Sequence, residues 1–284
     1  MDNIVYLNGK FINAAEATVP LLDYGFLYGY GLFETMRAYE GKIFRLEDHL
    51  RRLAEAAVTL GISIDVSEIG EAITEVLRAN RLIEARVRLT VSRGAGPMTP
   101  KPTACTTPTI AVIAAPYEPY PEAIYKRGFH AVISDIRRNS GSPLAGLKTA
   151  NYLENLLARG AARAAGADDA ILLNERGELA EASTSNLFLV KDGNLRTPPV
   201  EAGILPGITR AVVLELAARL NIAAHEGTLT IEELHQADEA FLTNSIMEIM
   251  PLTYVEEQAV GKGKPGPLTT RLMTAYQALV RRAR

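Results

Sequence analysis

One lysine, Lys148, lies in the segment SPLAGLKTANYLEN, just before a stretch that is predicted to be helical. Its sequence neighbours include the apolar residues Leu144, Ala145 and Leu147. A lysine amine becomes a nucleophile or a Schiff-base partner when apolar surroundings or nearby cations lower its pKa. Most lysines are solvated surface charges, so the segment alone leaves a structural interpretation open beside the chemical one.

An acid, Glu181, stands in the segment GELAEASTSNLFLV, in a predicted turn before a strand. A pyridoxal cofactor needs an acidic partner at its ring nitrogen, because the protonated ring is the better electron sink. The glutamate could equally be an exposed turn residue, since the four residues that follow Ala182, Ser183 to Asn186, are all turn formers.

The segment GILPGITR, residues 203–210, is predicted to open a helix. Free amide groups at a helix N-terminus, together with the positive end of the helix dipole, can bind a phosphate. Ile208 and Thr209 would supply the amides, and Thr209 also a hydroxyl. A helix start punctuated by proline and glycine, without a ligand, is the alternative.

Two further segments could complete a phosphate site. Thr243-Asn244-Ser245 ends a predicted strand and offers a hydroxyl, while Arg52 offers a cation, although an arginine on an amphipathic helix is commonly solvated. An amine, an acid for the ring nitrogen and a phosphate cup are what a pyridoxal 5'-phosphate site requires. The residues together therefore predict that cofactor.

The elements that must position these residues fall into two halves of the chain. Helices are predicted at about residues 47–60, 68–79, 152–165 and 207–220, near Thr230 with a Thr230-x-x-Glu233 capping box, and from about residue 268. Strands are predicted on both sides of an Asn8-Gly9 turn and at residues 85–93, 109–116, 129–136, 169–174, 186–191 and 239–244.

Prolines at positions 116, 119 and 121 suit a connector, because proline fixes φ and lacks a backbone donor. We therefore predict a small N-terminal domain over residues 1–117, a linker over 118–127 and a larger C-terminal domain over 128–284. Mixed strands and helices indicate an α/β or mixed α+β fold, with the sheet topology left open.

Composition excludes several classes of function. The 284 residues are 48% hydrophobic and 22% charged with a net charge of −3, which favours neither nucleic acid nor an anionic membrane as a partner. No apolar run approaches the ~20 residues of a membrane span, and no signal peptide is evident. The single cysteine, Cys105, excludes an internal disulfide, and four scattered histidines predict no metal site. We expect a soluble cytosolic protein.

Four blocks in this order resemble the class IV (fold type IV) aminotransferase family, which includes branched-chain aminotransferases, D-amino acid aminotransferases and aminodeoxychorismate lyases. The blocks are DYGFLYGYGLFETMRAYEGKIFRLEDHLRRL, GLKTANYLENLLA, ELAEASTSNLFLV with GILPGITR, and FLTNSIMEIMPL. The resemblance covers about residues 6–255. It implies two α/β domains with the cofactor between them, and a homodimer whose partner helps to build the substrate pocket.

The resemblance also assigns roles by position. Lys148 corresponds to the lysine that forms the Schiff base with pyridoxal 5'-phosphate and later moves a proton on the substrate's α-carbon. Glu181 corresponds to the acid at the pyridine nitrogen. Tyr152 corresponds to the tyrosine near the cofactor's phenolic oxygen, although it stands one residue closer to the lysine than in branched-chain enzymes.

The predicted phosphate ligands follow in the same way. Arg52, in the RRL of the first helix, corresponds to the phosphate arginine of the family. Ile208, Thr209 and Ser245 correspond to the rest of the phosphate cup.

The motifs of this sequence do not all point to the same subgroup of the family. D-amino acid enzymes carry an arginine and a histidine two residues apart after the RG of the middle strand, and this chain reads AGPMTP after Arg93-Gly94. Branched-chain enzymes read Phe-Glu-Gly and Gly-Thr-Ala where this chain reads Phe33-Glu34-Thr35 and Asn244-Ser245-Ile246.

Threonine at the position of Thr35 is typical of the lyases, where its hydroxyl helps to relay a proton, and Arg93 would match an arginine that holds an acidic substrate. A β-branched residue filling a strand is the alternative for Thr35, and Glu34 follows the transaminase pattern.

The predicted catalytic residues are Lys148 and Thr35. The predicted substrate contacts are Phe33, Arg88, Arg93, Thr243 and Asn244.

The favoured interpretation is an aminotransferase that moves an amino group between an amino acid and a 2-oxo acid. An aminodeoxychorismate lyase, which releases pyruvate to give 4-aminobenzoate, is the alternative because the same fold and cofactor serve both reactions. A non-catalytic protein that binds a phosphate ligand comes third.

Overall fold

The computed structural model describes residues 3–282, which divide into two compact units. The first unit contains residues 3–118 together with Leu147–Asn151, and the second contains Pro119–Gly146 and Tyr152–Arg282. The segment Leu147–Asn151, here called the strap, therefore belongs to the first unit although it comes from later in the chain. The predicted domain boundaries at residues 117 and 128 stay a prediction.

The first unit is built on a six-stranded sheet. Its elements are β1 (Ile4–Leu7), β2 (Lys10–Asn13), α1 (Tyr24–Tyr28), β3 (Gly31–Tyr39), β4 (Lys42–Ile43), α2 (Leu46–Thr59), α3 (Val66–Ala79), β5 (Ala85–Ser92) and β6 (Thr109–Pro116), with a short 3₁₀ turn at Pro102–Ala104. The strand order is β2-β1-β6-β5-β3-β4, and all neighbours are antiparallel.

Alternation along β3 and β5 gives this sheet two different faces. Leu32, Met36 and Val87 are fully buried and join the core that α2 and α3 cover. Thr35 and Arg88, which are paired across the two strands, point to the opposite face and are half-buried. Successive side chains of a strand point to opposite faces, so one face is core and the other remains available for polar side chains.

The second unit begins near the predicted linker. Its elements are α4 (Glu122–Arg127), β7 (Phe129–Arg138), α5 (Leu153–Ala164), β8 (Asp169–Asn174), β9 (Leu179–Ala182), β10 (Ser185–Lys191), β11 (Asn194–Thr197), α6 (Ile208–Arg219), β12 (Ala224–Glu226), α7 (Ile231–His235), β13 (Glu239–Asn244), β14 (Glu248–Val255), β15 (Gln258–Ala259) and α8 (Pro267–Arg282), with a 3₁₀ turn at Val200–Ala202.

The nine strands of this unit form one sheet in the order β12-β11-β10-β13-β14-β7-β8-β9, with β15 beside β14. Strand β9 pairs with both β8 and β10, so six strands close on themselves. Most pairs are antiparallel, while β7 is parallel to both β14 and β8 and β12 is parallel to β11. Strand β8 is buried along its whole length, which fits a strand inside a closed sheet.

The predicted mixed α/β class is confirmed by eight α-helices and two sheets within residues 3–282. The predicted helices agree with the observed α2, α3, α5, α6 and α8 to within about two residues, and α7 begins with the predicted capping box between Thr230 and Glu233. The predicted linker is not wholly irregular, because α4 begins directly after Pro121, which occupies its N-cap position. Within the described residues, no helix is both long and apolar enough to cross a membrane.

Candidate active site

In the first unit, the strap fixes the backbone of Lys148 against β3. The Phe33 N–H donates to the Lys148 carbonyl at 2.9 Å, and the Ala150 N–H donates to the Gly31 carbonyl at 2.8 Å. Thr149 forms an antiparallel bridge with Leu32 between these two bonds. Lys148 therefore lies opposite Phe33 in the manner of a short additional strand.

The Phe33 ring lies under two cations. The Arg88 guanidinium carbon is 3.5 Å from the ring centroid and the Lys148 Nζ atom is 4.5 Å from it. The ring is 2% exposed. A cation over an aromatic face is attracted by the ring's quadrupole, most strongly when water is excluded. The structure thus brings together three of the predicted residues.

Thr35 lies on the same face of β3 as Phe33, directly across from Arg88 on β5. The Arg88 Nε–H donates to the Thr90 hydroxyl at 3.2 Å, which directs the guanidinium along this face. Arg93 follows the end of β5, where its backbone N–H donates to the Tyr30 carbonyl at 2.9 Å. The catalytic role of Thr35 and the substrate-binding role of Arg93 stay predictions.

The opposite face of β3 carries a charged cluster inside the core. Glu34 is 1% exposed and accepts two hydrogen bonds from Arg52 of α2, from Nε at 2.8 Å and from Nη2 at 2.6 Å. His49, also of α2, approaches the same carboxylate with Nδ1 at 2.7 Å. The predicted phosphate arginine therefore has a bidentate carboxylate partner.

The cluster's protonation follows from burial and charge. Burial by itself would raise the pKa of Glu34, but the Arg52 charge and the hydrogen bonds from His49 and Arg52 outweigh it and lower that pKa to about 2. Burial lowers the pKa of His49, assisted by the charges of Arg52 and Lys148 and opposed by Glu34. The ring is thus neutral at neutral pH. Because a carboxylate only accepts, the His49 proton lies on Nδ1.

In the second unit, Glu181 lies on β9 and is 5% exposed. One of its oxygens accepts from Arg138 Nη2 at 2.8 Å, and the other accepts from the Leu205 N–H at 3.1 Å and from Asn186 Nδ2 at 3.3 Å. Donors on both oxygens stabilise the ionised carboxylate in this buried position. Glu181 is not the exposed turn residue that its sequence also allowed.

Tyr152 is the N-cap residue of α5 and lies close to the same part of the unit. Its hydroxyl donates a long hydrogen bond of 3.4 Å to the Ser183 carbonyl, which also accepts from Asn155 Nδ2 at 2.6 Å. Burial, followed by the negative charge of Glu181, raises the pKa of Tyr152 to about 12. The phenol is therefore protonated at neutral pH.

The N-terminus of α6 has no side-chain cap, because its N-cap residue is Gly207. The amides of the first helical turn, which include those of Ile208 and Thr209, have no acceptor within the helix. Thr209 is 2% exposed and Ile208 is half-buried. A Cβ atom on Gly207 would lie 1.9 Å from the Oδ1 atom of Asn186, so this position admits only glycine without a shift of its neighbour.

The predicted segment Thr243-Asn244-Ser245 lies at the end of β13. The Thr243 hydroxyl is buried and makes no hydrogen bond to any described residue, and the same holds for the Ser185 hydroxyl of the neighbouring strand. The Asn244 side chain accepts from the backbone N–H groups of Ile246 and Met247, at 2.9 and 2.8 Å, and so closes the turn that contains Ser245.

Sequence reasoning missed four of the residues that organise these groups. Glu34 was noted only as part of a family pattern, and His49 only as one of four scattered histidines. Asn186 was interpreted only as a turn former and Arg138 was not identified, because their roles depend on strands that meet only in the folded sheet. Arg138 ends β7 and Asn186 lies in β10, and both donate to Glu181.

Comparison with known proteins gives a consistent result. The family model described as amino-transferase class IV matches residues 31–255. The branched-chain-amino-acid aminotransferase of Escherichia coli (strain K12) is 33% identical over 285 residues, covering 97% of this chain and 92% of that protein. The aminodeoxychorismate lyase of Bacillus subtilis (strain 168) is 35% identical over 281 residues, covering 96% and 94%.

A solved structure agrees with these relatives. It is that of the T.th. branched-chain amino acid aminotransferase complexed with N-(5'-phosphopyridoxyl)-L-glutamate, which superposes with a TM-score of 0.93 and 32% identity, covering 100% of this chain and 96% of that chain. The match of family model, relatives and fold over nearly the whole length shows that this chain belongs to the class IV aminotransferases, a family of enzymes.

Proposed function

We propose that the chain is a pyridoxal 5'-phosphate-dependent aminotransferase, which moves an amino group between an amino acid and a 2-oxo acid. The observation that carries the proposal is the environment of Glu181. This buried carboxylate accepts hydrogen bonds on both oxygens, and a carboxylate held in this way is the acidic partner that the protonated ring nitrogen of the cofactor needs. The phosphopyridoxyl ligand of the T.th. enzyme supports the same cofactor.

We also propose a binding site for the phosphate group in the second unit. The uncapped N-terminus of α6 presents the amides of Ile208 and Thr209, and an anion at such a helix end is stabilised by free N–H groups and by the helix dipole. The buried Thr243 hydroxyl has no hydrogen-bond partner among residues 3–282, which suits a site whose remaining partner is a ligand. We propose that Ser245 and Arg52 complete the set of phosphate ligands.

Bound pyridoxal phosphate supplies an electron sink for the reacting α-carbon. The chain's own residues then do the positioning and the proton transfer. We propose that Lys148 would hold the cofactor covalently, by condensation of its amine with the cofactor's aldehyde and loss of water, and that the same amine, once released, would move a proton on the substrate's α-carbon. The Tyr152 phenol, protonated at neutral pH, would donate its hydrogen bond to the cofactor's phenolic oxygen in place of the long bond to the Ser183 carbonyl. Arg88 attracts the substrate carboxylate.

The covalent link gives a direct test. Purified protein supplied with pyridoxal phosphate should show a visible absorption band that borohydride abolishes, and the reduced protein should carry the added mass on the peptide containing Lys148. Lys148→Ala should lose both signals. Lys191→Ala is the matched control, because Lys191 is an exposed lysine paired with Asp238, and it should keep both. A colourless protein, or an adduct on another lysine, contradicts the proposal.

A lyase is the second candidate, and Thr35 is the observation that favours it. Its side chain shares a face with Phe33 and is paired directly with Arg88, which would suit a hydroxyl that relays a proton to an acidic substrate. Aminodeoxychorismate and a panel of L- and D-amino acids with 2-oxoglutarate separate the two reactions. Pyruvate release without an acceptor, lost in Thr35→Val, indicates the lyase, whereas acceptor-dependent exchange indicates the transferase.

The same assays address the third interpretation. A protein that only binds a phosphate ligand would take up pyridoxal phosphate without forming the borohydride-sensitive band. The homodimer and the cytosolic location also stay predictions, and the molar mass in solution tests the first of them.

A further inference from the structure

We propose that Glu34 and His49 are positioning residues for Arg52, which hold its guanidinium in the orientation that receives the phosphate of the cofactor. The proposal rests on the proposed function, because it assumes that Arg52 is a phosphate ligand. Both residues lie in the first unit and are buried there, Glu34 on β3 and His49 on α2.

Glu34 contacts one edge of the Arg52 guanidinium and thereby orients it. Glu34 engages the Nε–Nη2 edge of the Arg52 guanidinium through both oxygens, at 2.8 and 2.6 Å. A guanidinium is planar with five donors in a fixed fork, so a bidentate carboxylate on one edge fixes the plane and the direction of the whole group. The fork can then meet a phosphate only with its other edge, which carries Nη1 and the second Nη2 hydrogen.

Glu34 is itself held in place by two residues of α2. The residue lies on the core face of β3, and its carboxylate oxygen Oε2 accepts from both Arg52 Nη2 at 2.6 Å and His49 Nδ1 at 2.7 Å. His49 and Arg52 lie three residues apart on α2, on neighbouring positions of one helix face. The side chains of Glu34 and His49 are 1% and 2% exposed, so neither can rotate away into water.

The charges of Glu34 and Arg52 balance each other. Glu34 is ionised at neutral pH and His49 is neutral, so the Glu34–Arg52 pair is neutral as a whole, and Lys148 is the other cation whose charge reaches His49. A carboxylate in this place could do one of two things to a phosphate site. It could orient the arginine and strengthen phosphate binding, as we propose. Alternatively, it could compete with the phosphate for the hydrogen-bond donors of the arginine and weaken phosphate binding. The two effects have opposite signs and are therefore separable.

The test measures the dissociation constant for pyridoxal phosphate by absorbance titration, with the ³¹P resonance of the bound phosphate as a second readout. Glu34→Gln keeps the shape but removes the charge, so it should weaken binding about tenfold to a hundredfold, as loss of an outer-shell partner does at metal sites. His49→Asn keeps a donor near the place of Nδ1 and should bind close to wild type. His49→Leu removes the donor and should weaken binding.

Two further variants provide the reference points. Arg52→Lys should weaken binding at least as much as Glu34→Gln, because the fork is lost. Glu75→Gln is the matched control: Glu75 forms the same bidentate pair with Arg78 in the same unit, at 2.8 and 2.7 Å, but on the surface. It should leave both the dissociation constant and the ³¹P shift unchanged. Melting temperatures of the proteins without cofactor report any general loss of stability.

The outcomes separate the inference from the proposed function. If wild type does not bind pyridoxal phosphate, the proposed function fails. If Arg52→Lys weakens binding while Glu34→Gln and His49→Leu bind as wild type does, or if Glu34→Gln binds more tightly, the positioning role is wrong and the proposed function stands. If Glu34→Gln does not fold, the difference between His49→Asn and His49→Leu decides, and equal binding by these two overturns the proposal.

Discussion

The substitution Gly207→Ala tests how α6 is seated beside Asn186. The backbone at Gly207 has φ −69° and ψ 136°, which any residue can adopt, so the glycine is not required by conformation. It is required by space, because an added Cβ atom would lie 1.9 Å from Asn186 Oδ1 and 3.3 Å from the Cβ atom of Arg210. The Asn186 side chain would have to move, and its hydrogen bonds to the Leu205 carbonyl and to Glu181 would be lost.

The expected change in free energy of unfolding can be worked out from opposing terms. Replacing glycine by alanine restricts the unfolded chain, which stabilises the protein by about 0.4–1 kcal/mol. Alanine is a poorer N-cap than glycine, which costs about 0.5–1 kcal/mol and cancels that gain. Overpacking costs about 1–3 kcal/mol, and each lost hydrogen bond of Asn186 costs about 1 kcal/mol. With two hydrogen bonds lost, the net expectation is a destabilisation of about 3–5 kcal/mol.

Urea unfolding of the cofactor-free protein, followed by far-UV circular dichroism, measures this change; the chain has no tryptophan to report by fluorescence. Gly160→Ala is the control, because Gly160 lies in α5 with no atom within 4 Å of an added Cβ. It should stabilise by about 1 kcal/mol. In an Asn186→Ala background the cost of Gly207→Ala should disappear. Wild-type stability of Gly207→Ala, or an undiminished cost in that background, refutes the steric explanation.

Three further predictions concern stability, each measured by urea unfolding. Thr230→Ala should cost about 1 kcal/mol, because it removes the side chain that caps α7, and an unchanged midpoint would contradict this. Gly94→Ala should cost at least about 2 kcal/mol, since its φ is +89° and an added Cβ would lie 1.8 Å from the Thr107 carbonyl oxygen; a folded variant of wild-type stability would be the contrary result. As the pH falls below about 6.5, stability should decrease because His49 has a lower pKa when folded than when unfolded. A second decrease in stability should occur between about pH 4.5 and about pH 2, because the pKa of Glu34 is also lower in the folded state than in the unfolded state. Stability that does not change over both pH ranges would be inconsistent with the buried cluster.

The sequence predicted those elements whose signals are local. The apolar spacing of α2 predicted residues 47–60, and the helix is Leu46–Thr59. The capping box at Thr230 required only two residues three apart, and both of its hydrogen bonds are present. Such signals depend on period and on neighbouring side chains, so they can be read without knowledge of the tertiary fold.

The partners within the candidate site could not be predicted in this way. In the sequence, Glu34 is one polar residue in a strand. Its role depends on the packing of α2 against β3, which brings Arg52 and His49 into contact with its carboxylate. The three donors to Glu181 come from β7, from β10 and from the segment before α6, and the closed sheet brings them together. The family resemblance predicted Lys148, Glu181 and Arg52 as site residues. It did not predict the side chains that form hydrogen bonds with Glu181 and Arg52.

The strap has a consequence for how the protein is made. Two backbone hydrogen bonds along β3, at Gly31 and Phe33, are formed with residues that are synthesised only after residues 3–118 of the first unit. Until the ribosome has produced Lys148, this stretch of β3 is an open strand edge that could pair with another nascent chain. Expression of residues 1–118 alone should therefore yield an aggregation-prone fragment, and a peptide that contains Leu147–Asn151, added in trans, should improve its recovery.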